Sequence, residues 1–113
     1  MNEQRTKVVL KHILEDLLDV DSFVQGVSQK EFEASPLLKK AVSMSLINIG
    51  ELTRELPDSL KHRNPHIPWR SIIGLRNRAA HGYHTLDTEI MWNIANFELS
   101  DLERVVRKEL GLL

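Results

Sequence analysis

Four residues in one short run, Arg76, Asn77, His81 and Tyr83, are of types and at spacings that could move protons beside a phosphate. Transfer of an RNA phosphodiester to its own 2′-hydroxyl needs a base for the hydroxyl proton. It also needs an acid for the leaving oxygen and a cation for the charge that develops. An imidazole fills the first or second role and a guanidinium the third. Asn77 and His81 stand four residues apart and are neighbours on a helix, where the amide fixes the imidazole tautomer through one hydrogen bond. His84 extends that row if the helix survives Gly82. One copy of the run offers a single imidazole and guanidinium. Two copies apposed across a two-fold axis offer two of each, which makes a homodimer the economical arrangement.

The charge pattern favours the same stretch. From Ser59 to Leu86 the chain runs 28 residues without Asp or Glu, yet the window holds five of the fifteen Lys and Arg and four of the five His. The whole chain carries a net charge of -1, which alone argues against a nucleic-acid partner, but outside the window ten basic residues face sixteen acidic ones. A local positive field on an acidic body is what a small phosphate-handling site requires. On a helical wheel from Ile72 to His84, Arg76 and Tyr83 project within about 20° of each other. There they fall in an apolar arc with Trp69, Ile72, Leu75, Ala79 and Ala80, while Arg78 points away as a solvated cation. A guanidinium in an apolar arc needs a partner. Glu51, at the edge of an earlier helix's stripe, is the best internal counter-ion, and a bound phosphate or a partner subunit are the alternatives.

The elements that must position these residues are all helical. Apolar residues at Val9, Ile13, Leu14, Leu17, Val20 and Val24 predict a helix over 6–24. Ser28-Gln29-Lys30-Glu31 has capping-box spacing and predicts a short turn of helix. Ser35-Pro36 opens a helix running to about Leu56, with a stripe of Leu37, Leu38, Ala41, Ser45, Ile49, Leu52 and Leu56. Asn48 within it reads as a satisfied core amide. Residues 57–68, with three prolines, read as a connector. A third helix is predicted over 69–81 with Gly82 as its exit, and a fourth after Asp87. The fourth stripe rotates by roughly a quarter turn between Phe97 and Leu102, so a kink or restart is expected near Ser100, where Ser100 and Glu103 have capping-box spacing. Gly111 is the expected terminator. No segment alternates as a strand would, and the architecture is an all-α bundle formed as one domain over residues 1–113.

Composition narrows the class. With no Cys there is no thiolate zinc site, disulfide or cysteine nucleophile. A metal reading of His62 and His66 fails because Pro65 interrupts the helical step it needs. No metal and no cofactor is expected. The absence of an apolar run near 18 residues and of an apolar signal core points to a cytoplasmic protein with no membrane partner.

The run Ile67-Pro68-Trp69, then Ile72-Ile73-Gly74-Leu75-Arg76-Asn77, then His81-Gly82-Tyr83, preceded by Ile49-Gly50-Glu51, resembles the HepT-like branch of the HEPN domains over nearly the whole chain. The resemblance implies a four- to five-helix up-and-down bundle that forms a homodimer with its two motifs in one cleft. It implies a metal-independent endoribonuclease on RNA in which Arg76, Asn77 and His81 are catalytic. It also implies the toxin of a toxin–antitoxin pair whose antitoxin, a minimal nucleotidyltransferase, can place AMP on Tyr83. Glu51, Arg70, Arg78 and His84 are then supporting or RNA-contacting residues, and Lys61 and Arg63 join Arg70 as an RNA-attracting surround.

Overall fold

The computed structural model describes residues 2–84 and 87–113, with the backbone alone described for Tyr83 and His84. The longest element, α1 (Glu3–Val24), starts three residues earlier than predicted because the Asn2 side chain accepts the Arg5 N–H at 2.7 Å. It buries Val9, Leu10, Ile13, Leu17, Val20 and Val24, the stripe that its periodicity announced with Leu10 added and Leu14 moved to the edge. The capping box forms at α2 (Gln29–Glu33): Ser28 Oγ accepts from the Glu31 N–H and Glu31 Oε1 from the Ser28 N–H. Ser35 caps α3 (Pro36–Arg54), with Pro36 in its first turn.

The α3 stripe is rotated from the expected one. Ser45, Ile49 and Leu56 are buried as expected, but Val42, Ser43, Leu46, Gly50 and Thr53 are buried with them, while Leu37 is 77% exposed and Asn48 is exposed rather than in the core. Leu37 counted as core because it is leucine, but it lies on the solvent side of the first turn, while Leu38 beside it packs against the core. The buried amide is Asn64, fully enclosed in the segment expected to be a plain connector. That segment folds as α4 (Asp58–Arg63), with Pro57 ahead of the first turn and its carbonyl accepting from Leu60 N–H. One buried residue, Leu60, anchors it, too few for a periodic signal.

The predicted third helix is two. α5 (Trp69–Ile73) ends at Gly74, whose ψ of 0° turns the axis before α6 (Leu75–His84) resumes. Gly82 does not end α6; it is a buried residue inside it. After α7 (Thr88–Asn93) the backbone opens into a π-helical turn, Ile94–Glu98, before α8 (Ser100–Glu109). The wider turn, rather than a capping box at Ser100, absorbs the change of stripe, and Leu99 takes the cap position with no side-chain cap bond. Gly111 ends the chain's last helix as expected, at φ 77°, with Leu112 N–H reaching back to the Arg107 carbonyl.

Among the described residues there is no strand, and six of the eight α-helices make the four bodies of an up-and-down bundle, α1, α3, α5–α6, and α7 through α8, with α2 and α4 as short helices in the connections. α1 runs antiparallel to α3, as the Arg5–Glu55 ion pair at 3.0 Å and the neighbours Asp16 and Asn48 show. α3 lies between α1 and α6, and α8 closes the bundle against α1.

α4 is held to the end of α8 by polar contacts. Arg63 Nη2 meets Glu109 Oε1 at 2.7 Å, and Asn64 Nδ2 donates to Leu60 O and Glu109 Oε2. The hydrogen bond from Arg63 holds the Glu109 carboxyl below its usual value of 4.5, against the opposing effect of burial. A depressed carboxylate stabilises the fold above its unfolded value and loses that contribution as pH falls. Stability to urea is therefore expected to drop below about pH 4.5 more steeply in the wild type than in Glu109→Gln. Asp16 and Asp21, both raised by burial, act in the opposite sense in the two proteins alike, so the difference between them isolates Glu109.

Candidate active site on the sixth helix

The site begins at the crossing of α3 and α6. A Cβ added at Gly50 would lie 3.0 Å from the Arg76 backbone nitrogen and from the Ile73 carbonyl oxygen, so only glycine lets α6 come this close. The next residue, Glu51, then reaches across: its Oε1 is 3.2 Å from Arg76 Nε. The Ile49-Gly50-Glu51 run thus has one job per residue, namely core, close approach and ion pair. The pair is open to solvent, with the arginine side chain 59% and the glutamate 48% exposed. Such pairs contribute about 0–1 kcal/mol, so Glu51 orients the guanidinium without locking it away from another anion. Gly50→Ala is expected to push α6 outward. The crowding, about 1–3 kcal/mol, outweighs the roughly 1 kcal/mol gained in helix propensity, and thermal denaturation reads the net loss.

Arg76, Asn77 and His81 all lie on the exposed side of α6, whereas Leu75, Ala79 and Gly82 form its buried side. The helix runs unbroken through Gly82, so the backbone positions of Tyr83 and His84 continue the same helix. The role expected of their side chains falls outside the described residues.

Two expectations about this helix are overturned. Arg76 is not in an apolar arc, and Arg78 is not the solvated arginine. Arg78 is the less exposed of the two at 35%, bound to both oxygens of Glu98 at 2.9 and 3.0 Å and to Ser71 Oγ at 3.1 Å. The wheel failed because it ran through Gly74, adding Trp69 and Ile72 to a helix they do not share, and because it gave Gly82 no weight. Gly82 turns inward, where a Cβ would stand 3.0 Å from the Asp87 carbonyl oxygen. Removing Arg78 therefore unties α6 from the π-helical turn, whatever it does to RNA. Arg63, taken as part of a free basic surround, is bound to Glu109, while Arg70 is exposed on α5.

Trp69, placed by the wheel in an apolar arc, also has a polar task. Its indole N–H donates to the Lys61 and Asn64 carbonyls at 3.1 and 3.0 Å, which closes the end of α4 and fixes where α5 begins. Beside the site, on the far side of Glu51, α1 and α3 form an open groove lined by Arg5, His12, Glu15, Asp16, Asn48, Glu51 and Leu52. Burial raises the Asp16 carboxyl above its usual range, while the Asn48 amide beside it opposes the shift. Nothing in the sequence pattern marked Asp16, whose place is set by a helix pairing that periodicity does not reveal.

Known proteins share this chain's pattern over most of its length. A protein of Caldanaerobacter subterraneus subsp. tengcongensis, named provisionally as an RNase, is 32% identical over 99 residues, 88% of each chain. One from Methanocaldococcus jannaschii, also provisionally named an RNase, is 29% identical over 108 residues, covering 96% of this chain and 89% of its own. A Thermococcus cleftensis protein provisionally named ribonuclease HepT is 26% identical over 97 residues, 82% of this chain and 88% of its own. No solved structure gives a significant match. The family model described as ribonuclease HepT-like matches residues 13–109, from the middle of α1 to the last residue of α8 and across both sides of the Glu51–Arg76 crossing. On that match the chain belongs to the HepT-like ribonuclease family.

Proposed function

We propose that this protein is an endoribonuclease that cleaves RNA without a metal, with His81 moving protons, Arg76 holding the phosphate and Asn77 orienting His81. The observation that carries the reading is the placement of all three on the exposed side of one helix in a chain of this family. Two features of that placement suit the role. Arg76 is oriented by an ion pair too weak to compete with a phosphate. The other arginine of the run, Arg78, is committed to Glu98, while the Arg76 side chain stays open to solvent. A single helix surface cannot surround a phosphodiester, so the working cleft is formed with a second copy of the chain, which brings its own His81 and Arg76.

The same reading places the protein in the cytoplasm as the toxin of a toxin–antitoxin pair. None of the helices among the described residues is long and apolar enough to cross a membrane. Its antitoxin is a minimal nucleotidyltransferase that transfers AMP from ATP to the Tyr83 hydroxyl, releasing pyrophosphate. An added phosphate seven residues along α6 from Arg76 would compete for the guanidinium and block RNA. Purified protein is expected to cleave RNA in EDTA, leaving 2′,3′-cyclic phosphate ends. RNA bound through Arg76 with no turnover at any enzyme concentration would instead make it a non-catalytic RNA- or nucleotide-binding partner of the nucleotidyltransferase.

A further inference from the structure

The groove between α1 and α3 has no part in the chemistry so far, yet Glu51 belongs to both: it lines the groove and pairs with Arg76 at 3.2 Å. At about 480 Å³ it is within the size range of small-ligand sites. Its polar groups are ordered along its length by the antiparallel helices. Arg5, paired with Glu55, lies towards one end and Asp16 with Asn48 towards the other. Leu52 supplies a half-buried apolar surface between them. Asn48 is three residues before Glu51 on α3, so the Asp16–Asn48 pair is about one helical turn from the residue that touches Arg76.

We propose that this groove is the subsite for the base next to the scissile phosphodiester, and that Asp16 with Asn48 selects guanine. The inference rests on the ribonuclease reading above for its substrate. The Watson–Crick edge of guanine presents N1–H and N2–H₂ as adjacent donors beside the O6 acceptor, and single-stranded RNA is read on such edges. A carboxylate offers two oxygens at the spacing of those two donors, and an amide beside it offers an N–H to O6. Adenine, cytosine and uracil each set at least one acceptor against the carboxylate, where no hydrogen is available. An acidic lining would repel a phosphate, which assigns the groove to a base and leaves phosphates to Arg76 on one side and Arg5 on the other.

Two measurements test this. In the first, short oligoribonucleotides carry one G, inosine, A, C or U at a fixed place in an otherwise uniform sequence. The wild type is expected to favour G over A at least about tenfold in kcat/KM, with inosine, which lacks the N2 amino group, between them. Asp16→Ala should lower cleavage of the G substrate to the level of the A substrate, and Asp16→Asn should do the same with its shape retained. In the second, calorimetry compares deoxyguanosine and deoxyadenosine dinucleotides, which lack the 2′-hydroxyl and cannot be cleaved. The wild type should bind the guanine form more tightly and Asp16→Asn should bind both alike. Equal use of all four bases, or a G preference that survives in Asp16→Asn, would overturn the subsite. Guanine-selective binding without any cleavage would leave the subsite standing and remove the ribonuclease assignment.

Discussion

Replacing His81 with alanine is expected to lower RNA cleavage by at least about a hundredfold, the usual range for losing a positioned acid or base being about 10²–10⁴. His81 is exposed on α6 and contributes no side chain to the core, so the loss of activity should far exceed any shift in the denaturation midpoint. Arg76→Ala should cost about 10²–10³, as removal of one charge-stabilising donor does, and should also weaken RNA binding. Arg76→Lys keeps the charge but not the planar fork that matches a phosphate, and should recover only part of the activity. Glu51→Gln separates this reading from a purely structural one. If the Arg76–Glu51 pair existed to hold α3 against α6, Glu51→Gln and Arg76→Ala would reduce stability alike and neither would matter specifically to RNA. The exposure of both partners predicts the opposite, with stability within about 0.5 kcal/mol of wild type in each and activity lost in the arginine variant. Equal RNA degradation by wild type and His81→Ala would end the assignment of His81.

How much of this site could be read from the sequence depends on how local each part is. The spacing of Asn77 and His81 is a property of any helix, and α6 forms as one, so their common face followed at once. Glu51 was named because an Arg76 set in an apolar arc needed a partner and Glu51 lay at a stripe edge; the pair forms, but between two exposed side chains, so the right partner came from a wrong premise. The orientation of Arg76 and Arg78 was not reachable, because it turns on a single ψ angle at Gly74 and on which face packs around the small residues Gly50, Ala79 and Gly82. Hydropathy weighs side chains, and here the buried side of the helix is marked partly by their absence. The same blindness hid the π-helical turn: the quarter-turn shift was visible, but Ser100 and Glu103 offered a capping box that the backbone does not use. Asn64 was hidden for a third reason, since its partners lie about 45 residues away on α8.

That amide carries a large expected stability effect for a polar side chain. Asn64 is fully buried, with Nδ2 donating to the Leu60 carbonyl at 2.9 Å and to Glu109 Oε2 at 3.1 Å, while its Oδ1 accepts from Lys108 Nζ. Leucine has the same branched shape and is somewhat larger, so Asn64→Leu removes the bonds without opening a cavity and adds some crowding. It leaves a helix-terminal carbonyl, a carboxylate and an ammonium to find other partners in a partly closed space. Each orphaned group costs about 1–3 kcal/mol, and the ion pair between Arg63 and Glu109 recovers some of it, for a net loss of about 3 kcal/mol. In a chain of this length that lowers the melting temperature by roughly 10 °C. The loss should also reach the active site, because the Asn64 carbonyl is one of the two that hold the Trp69 indole, and Trp69 opens the helix that leads through Gly74 to Arg76. Cleavage by Asn64→Leu, measured well below its own melting temperature, should therefore fall severalfold. A variant at Asn64 that melted normally would show that α4 does not depend on α8, and the route from this buried amide to Arg76 would be closed.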